Sequence, residues 1–136
     1  MVTSAREFTV STFGSSYEAV LDVMDKKYPG SADRQVEWKD QDLLEYKKLA
    51  QEFQGILINN ADKVKEASKL YSEKDDDAWD IYKTKGFDYT VDDVRNSSPY
   101  WNALCDIPGV EQQVQKMIAF ELAHSEQFGK TLGIAG

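Results

Sequence analysis

The chain has 136 residues, of which 41 % are hydrophobic and 29 % are charged, and its formal net charge is −8. This length is typical of one domain, and the composition is that of a folded chain rather than a disordered one. The acidic balance argues against proteins that bind nucleic-acid phosphates or an anionic membrane surface, because both kinds of binding need clustered Lys and Arg side chains.

Two further exclusions concern the compartment in which the protein works. No run of 18 apolar residues is present, and the first residues lack the apolar segment of a secretory signal, so we expect no membrane span and no secretion. Cys105 is the only cysteine and cannot form an internal disulfide. These features predict a soluble protein of the reducing cytoplasm.

The first 30 residues predict an arm followed by a helix. Residues 1–14 are rich in Ser and Thr, and apolar and polar residues alternate around Phe8, which predicts a short extended arm. Ser15-Ser16-Tyr17-Glu18 has the spacing of a capping box and predicts the start of the first helix. Pro29-Gly30 predicts its end. The apolar stripe of this helix consists of Tyr17, Val20, Leu21, Met24 and Tyr28.

The middle of the chain predicts two helices after a loop in which Val36 and Trp38 pack inward. The second helix begins at Asp40 and has the strongest amphipathic pattern in the sequence. Asn60 is expected to begin the third helix. The buried face of the second helix consists of Leu43, Tyr46, Leu49, Ala50, Phe53, Ile56 and Leu57, and that of the third consists of Ala61, Val64, Ala67 and Tyr71.

The second half predicts four more helices. Asp75-Asp76-Asp77 lies before a short helix that Gly86 ends, and acidic residues at that position stabilise the helix dipole. Thr90 begins a helix with a second capping box, and Ser98-Pro99 begins the next. The last helix covers about residues 109–128, and the Gly-rich residues 129–136 are expected to form a flexible tail.

Together these elements predict an all-α fold. We expect one domain over residues 1–136, built as a compact bundle of about six or seven short helices with a short N-terminal arm. Neither internal repeats nor a linker divides the chain.

One motif in the last helix suggests a metal site. Glu121 and His124 are three residues apart and would share one face of a helix, and this Glu-x-x-His spacing supplies iron or manganese ligands in ferritin-like bundles. A complete site needs two such motifs, and the chain has one His, so only a homodimer would complete it. Glu45 or Glu52 could add a carboxylate. The alternative is an ordinary ion pair or hydrogen bond on the helix surface.

No other pattern favours catalysis. Cys105 follows Trp101 and Leu104 in an apolar turn, which predicts a buried structural thiol rather than a nucleophile activated by His124. No glycine-rich phosphate loop is present. A group of aromatic residues allows either a ligand pocket or core packing. It consists of Trp79, Tyr82, Tyr89, Tyr100 and Trp101.

Residues 53–95 carry a further pattern. It runs from Phe53 through Asn60-Ala61-Asp62 to Gly86-Phe87-Asp88-Tyr89-Thr90-Val91-Asp92-Asp93-Val94. This segment resembles the leader-peptide domain family of ribosomal peptide precursors, first noted near nitrogen-fixation genes in cyanobacteria. The resemblance implies a domain that modifying enzymes hold and that a peptidase removes near Gly133-Ile134-Ala135-Gly136. It implies an enzyme-docking surface that includes Phe53, Val64, Ala67 and Leu70.

These observations leave three hypotheses for function. The leading one is a non-enzymatic acidic helical protein that binds another protein without a cofactor, and a leader-like substrate of a modifying enzyme is one version of it. The first alternative is a homodimeric iron or manganese protein that uses Glu121 and His124. The second is an acidic mimic of nucleic-acid phosphates. It would need Asp75, Asp76, Asp77, Asp92 and Asp93 on one face.

Overall fold

The computed structural model describes residues 1–72 and 79–134, so the acidic run Asp75–Asp77 and the terminal Ala135-Gly136 lie outside the described residues. Within these ranges the chain has nine α-helices and one two-stranded sheet, which confirms the all-α class. None of the helices in the described part of the chain is long and apolar enough to cross a membrane.

The elements follow one another in short steps along the chain. They are β1 (Val2–Thr3), α1 (Ala5–Phe13), α2 (Glu18–Lys27), β2 (Val36–Glu37), α3 (Asp40–Asn59), α4 (Ala61–Ser68), α5 (Trp79–Lys85), α6 (Val91–Ser97), α7 (Pro99–Cys105), α8 (Val110–Ala123) and α9 (Ser125–Leu132). The sequence predicts six or seven helices, and α1 and α9 are the two additional ones.

The predicted N-terminal arm is a helix. The Ser4 side chain accepts a hydrogen bond from the Glu7 amide at 3.1 Å and caps α1, so most of residues 1–14 are helical rather than extended. Only Val2–Thr3 are extended, and they pair antiparallel with Val36–Glu37. The alternation of apolar and polar residues around Phe8 therefore does not produce an extended arm. The Ser4 cap and the stacking of the Phe8 ring on Tyr46 stabilise a helix there instead.

The two predicted capping boxes have different outcomes. At Thr90 the box is confirmed, since the Thr90 hydroxyl accepts from the Asp93 amide at 3.3 Å and the Asp93 carboxylate accepts from the Thr90 amide at 2.9 Å. The box at Ser15 is wrong. Ser15–Tyr17 form a single 3-10 turn, and no side chain caps α2, which begins at Glu18.

The last predicted helix is divided in two. α8 ends at Ala123 and α9 begins at Ser125, because His124 leaves the helical conformation at φ −117° and ψ 33°. α9 then continues to Leu132, which is buried together with Phe128 and Gly129. Residues 129–132 therefore belong to a packed helix and not to the predicted tail.

The chain forms two compact units. The terminal unit comprises Met1–Lys47 and the segment from His124 onward, and the central unit comprises Lys48–Ala123. In the terminal unit, Val36 and Trp38 are buried as predicted. The Trp38 and Phe128 rings meet edge to face at 5.2 Å between centroids. Other buried residues of this unit are Leu21, Met24, Tyr28, Ala32, Leu43 and Leu132.

The central unit has its own hydrophobic core. Val110 is fully buried at its centre. The Gln113 side chain, also buried, donates a hydrogen bond from Nε2 to the Leu49 carbonyl at 2.9 Å, which satisfies a polar group inside the core. Cys105 is 3 % exposed, which confirms the predicted buried thiol. The rest of the core consists of Ala67, Ile81, Val94, Leu104, Ile107, Val114 and Ile118.

Candidate functional site

The Glu121 carboxylate is held by two tyrosines of the central unit. The Tyr82 hydroxyl donates to Oε1 at 2.9 Å and to Oε2 at 3.2 Å, and the Tyr89 hydroxyl donates to Oε1 at 2.6 Å. Both carboxylate oxygens therefore accept hydrogen bonds from neutral donors. We call Glu121, Tyr82 and Tyr89 the carboxylate cluster.

Three segments position the carboxylate cluster. Glu121 lies in the last turn of α8, and Tyr82 lies in α5. Gly86 ends α5 with φ 65°, a conformation that favours glycine, and the chain turns there so that Tyr89 reaches the same carboxylate. The Thr90 capping box holds the backbone immediately after Tyr89. The two phenol rings meet edge to face at 5.6 Å between centroids.

Burial makes the carboxylate cluster sensitive to protons near neutral pH. Desolvation raises the pKa of Glu121 to about 7, although the hydrogen bonds from Tyr89 and Tyr82 act in the opposite direction. Desolvation and then the neighbouring Glu121 charge raise the pKa of Tyr82 well above its usual value, so this phenol stays a neutral donor. The cluster can therefore take up or release one proton in the physiological range.

His124, the other residue of the predicted metal motif, contacts different residues from those around Glu121. His124 lies in the terminal unit, where its Nε2 is 3.3 Å from Asp42 Oδ1 and its ring stacks on Trp38 at 6.5 Å between centroids. Glu45 and Glu52 are both exposed. Across residues 1–72 and 79–134, no group of three or more His, Cys, Asp or Glu side chains is placed to hold a metal ion. The homodimeric site needs a second chain and stays a prediction.

A groove lies between α4 and α7 in the central unit. It is open to solvent and has a volume of about 630 Å³. Its apolar floor consists of Ala67, Leu70, Ala103 and Ile107, and its charged rim consists of Asp62, Lys63, Glu66, Lys69 and Asp106. We call it the α4–α7 groove. Leu70 is 49 % exposed there, so about half of its apolar side chain is accessible from solvent.

The four residues that the leader-domain resemblance implies for docking do not share one exposed surface. Leu70 is accessible, whereas Ala67 is 2 % exposed and contributes only to the floor of the α4–α7 groove. Phe53 and Val64 are partly buried against the core of the central unit. Of these four side chains, that of Leu70 is therefore the most exposed.

The predicted aromatic group separates into different roles. Tyr82 and Tyr89 belong to the carboxylate cluster, while Tyr100 and Trp101 pack on the core with ring centroids 6.1 Å apart. The side chain of Trp79 lies outside the described residues. The sequence marks Glu121 as a candidate metal ligand and both tyrosines as members of an aromatic group, and its local patterns do not link them. A signal was present, because a carboxylate beside an apolar helix face needs buried donors.

Among the acidic residues proposed for a nucleic-acid mimic, Asp93 already forms contacts within the chain. Asp93 accepts a hydrogen bond from Lys85 Nζ at 2.6 Å as well as those of the capping box, and these contacts lower its pKa. Asp92 is exposed. The run Asp75–Asp77 lies outside the described residues, so a shared acidic face stays a prediction.

Comparisons of the chain with protein-family models, with curated proteins and with solved structures found no match. The resemblance of residues 53–95 to leader-peptide domains therefore stays a prediction. Two features of the central unit bear on function, the carboxylate cluster and the α4–α7 groove.

Proposed function

We propose that the protein binds another protein, and that the α4–α7 groove of the central unit receives a segment of that partner. The observation that carries this proposal is the position of Leu70. Its side chain is 49 % exposed, whereas the other apolar side chains of the floor, those of Ala67, Ala103 and Ile107, are less exposed. Exposed apolar side chains in a concave site are typical of interaction surfaces.

The free energy available in the groove suits binding of moderate affinity. Covering the exposed half of one leucine contributes about 1 kcal/mol at the usual gain per unit of apolar area. The half-buried Ala103 adds a little more area, whereas Ile107 is 3 % exposed and adds almost none. A bound segment that contributes its own apolar side chains would bury a similar area again, which is how grooves of this kind reach useful affinity.

Other features of the chain agree with a binding role. Cys105 is a free, buried thiol, and burial raises its pKa, so it is poorly suited to act as a nucleophile. A free thiol is also consistent with work in the reducing cytoplasm. Two residues of the groove, Ala67 and Leu70, are among those that the leader-domain resemblance implies for docking to a modifying enzyme.

The proposal is tested by site-specific photo-crosslinking in the native cell. A photoreactive amino acid at position 70 should form a crosslink to one partner protein, whereas the same residue at position 122 should not. Leu122 is a matched control, because it is also a leucine of the central unit and is also 49 % exposed, but it does not line the groove. Leu70→Asp should abolish capture of that partner, and Leu122→Asp should retain it.

Two results would overturn this function. One is an equal pattern of crosslinks at positions 70 and 122, which would mean that the groove has no preferred partner. The other is a partner whose capture is unaffected by Leu70→Asp in a variant that remains folded by circular dichroism.

A further inference from the structure

We propose that residues 79–90, which comprise α5 and the turn after it, form a flap that lies on α8 while Glu121 carries a proton and detaches when Glu121 loses it. We call this segment the 79–90 flap. The change takes place within the central unit and does not depend on the partner-binding function proposed above. Its basis is the set of side chains that hold the flap, together with the surroundings of the Glu121 carboxylate.

The 79–90 flap is held on α8 through the carboxylate cluster. α5 has seven residues, and a helix this short is not stable in water without tertiary contacts. Ile81 is buried in the core of the central unit, and the hydroxyls of Tyr82 and Tyr89 both donate to Glu121. Two phenols of the flap therefore depend on a single group of α8.

α8 is the fixed side of this contact. Glu121 lies in the last turn of this helix of 14 residues, whereas the flap contains only the short α5 and a turn. The Thr90 capping box starts α6 and fixes the C-terminal end of the flap. When the cluster separates, the flap is therefore the part that moves. The buried residues that hold α8 in place are Val110, Gln113, Val114, Ile118 and Phe120.

The titratable groups that face Glu121 from the flap are the two phenols. A protonated carboxyl group is satisfied between them, because the Tyr82 oxygen, 3.2 Å from Oε2, can accept its O–H and donate in turn to the Tyr89 oxygen at 3.4 Å. In the described part of the chain no Lys, Arg or His side chain forms an ion pair with Glu121. The ionised carboxylate is therefore buried without a cation, a cost that contact with water removes.

Charged groups near the flap bond to one another or to other parts of the chain. Lys85 Nζ pairs with Asp93 Oδ1 at 2.6 Å, and Arg95 of α6 pairs with Glu111 of α8 at 3.3 Å. His124, three residues after Glu121, faces Asp42 instead. The other charged side chains of the flap, α6 and α8, none of which bonds to Glu121, are Asp80, Lys83, Asp88, Asp92 and Lys116.

The direction of the pH response follows from these surroundings. Desolvation raises the pKa of Glu121 from 4.5 to about 7 in the closed state, and contact with water in the open state returns it toward 4.5. Opening is therefore favoured as pH rises from about 4.5 to 7 and levels off above that range. Between pH 5 and pH 8 the equilibrium constant for opening should rise by about 70-fold if the open state solvates Glu121 fully, and by less if it does so in part.

Native-state hydrogen exchange of the full-length chain, followed by NMR in the presence of a chelator, tests the proposal. Amides 83–86 of the flap include that of Gly86, which donates to the Tyr82 carbonyl. After correction for the intrinsic rates, their protection should fall by about 10- to 70-fold from pH 5 to pH 8. Their exchange should depend weakly on urea, whereas that of the Ile118 amide in α8 should depend strongly, because only global unfolding exposes α8.

Two variants assign the response to the carboxylate cluster. Glu121→Gln should abolish the pH dependence of the flap amides, and Glu126→Gln, at an exposed acid, should retain it. Tyr89→Phe should increase opening more at pH 8 than at pH 5, because its hydroxyl stabilises the charged form of Glu121. Tyr100→Phe is its control.

Three results would overturn the proposal. One is a protection of the flap amides that does not change with pH. Another is a pH response that persists in Glu121→Gln, or, should that variant not fold, an effect of Tyr89→Phe that is equal at both pH values. The third is a urea dependence of the flap amides as strong as that of Ile118, which would mean that Glu121 meets water only when the whole unit unfolds.

Discussion

The Tyr89 hydroxyl lies 2.6 Å from Glu121 Oε1, although 32 residues separate the two in the chain. This contact and the bonds from Tyr82 place a carboxylate where water cannot fully solvate its charge. The folded state therefore binds a proton on Glu121 more readily than the unfolded state does. Stability should consequently depend on pH through this residue.

Glu121→Gln should remove that dependence. Burial raises the pKa of Glu121 from 4.5 to about 7, so its contribution is fully present below about pH 4.5 and is lost as pH rises through 7. Between pH 8 and pH 5 the wild type should gain about 2–3 kcal/mol relative to Glu121→Gln. Urea unfolding at a series of pH values measures this difference. Parallel pH profiles for the two proteins would contradict the assignment, and Glu126→Gln on the exposed surface serves as the control.

Tyr89→Phe should raise the pKa of Glu121 further, because the hydrogen bond from Tyr89 is the strongest influence that lowers it. The ring and its packing are retained, so the effect isolates the hydroxyl. The ¹³C chemical shift of the Glu121 carboxyl carbon, followed by NMR as pH is varied, reports the midpoint directly. Tyr100→Phe in the same unit should leave that midpoint in place, and a midpoint unmoved by Tyr89→Phe would show that the bond does not tune Glu121.

Gly133→Ala should destabilise the terminal unit by about 1–3 kcal/mol, because a side chain at φ 74° is strained and its Cβ would lie 2.5 Å from Arg34 Nη1. Arg34 Nη1 also donates to the last carbonyls of α9, at 2.9 Å for Thr131, so its displacement would uncap that helix. Gly14→Ala is the matched control, since Gly14 has φ 97° but open space around it. Thermal unfolding should show the larger loss for Gly133→Ala, and equal losses would mean that the Arg34 contact is unimportant.

Arg95 should stabilise the fold more through the geometry of its hydrogen bonds than through its positive charge. Its guanidinium donates to the Asn102 and Cys105 carbonyls at the end of α7 and pairs with Asp106 and Glu111. Arg95→Ala should lower the free energy of unfolding by about 2 kcal/mol. Arg95→Lys should recover only a small part of this loss, because one ammonium group cannot reproduce the several planar N–H donors of a guanidinium. Full recovery by lysine in urea unfolding would contradict this account.

Substitution by alanine at two leucines should show which of the two side chains stabilises the fold. Leu104→Ala, at a site that is 2 % exposed, should cost about 2–5 kcal/mol, whereas Leu70→Ala, at a site that is 49 % exposed, should change the free energy of unfolding by about 0.5 kcal/mol or less. Chemical denaturation compares them. A large loss at Leu70 would show that this side chain serves the fold, and the binding role of the groove would lose its main support.

Local sequence signals predicted most of the helix boundaries. The Thr90 capping box, the Ser98 cap with Pro99 in the first turn, and Gly86 at the end of α5 all have the predicted positions. Each depends on atoms within a few residues of one another, so the sequence contains the whole interaction. α1 was missed because its Ser and Thr content suggests an extended chain, and its Phe8 ring stacks on Tyr46 at 5.4 Å only once the unit is folded.

The division of the last helix could not be predicted in the same way. Apolar periodicity continues from α8 into α9, and nothing in the local sequence marks His124 as the break. In the folded chain its ring stacks on Trp38 and its Nε2 faces Asp42. These contacts are made by residues far away in sequence.

By itself the sequence determined the helical class, the caps with local partners and the burial of Cys105, because these follow from interactions between near neighbours and from the partition of apolar side chains away from water. Tertiary structure alone decided which donors reach Glu121 and that Leu70 stays exposed beside a groove. Both results depend on how separate helices pack. That arrangement is set by the sum of many weak contacts across the core, which no short segment of the chain contains.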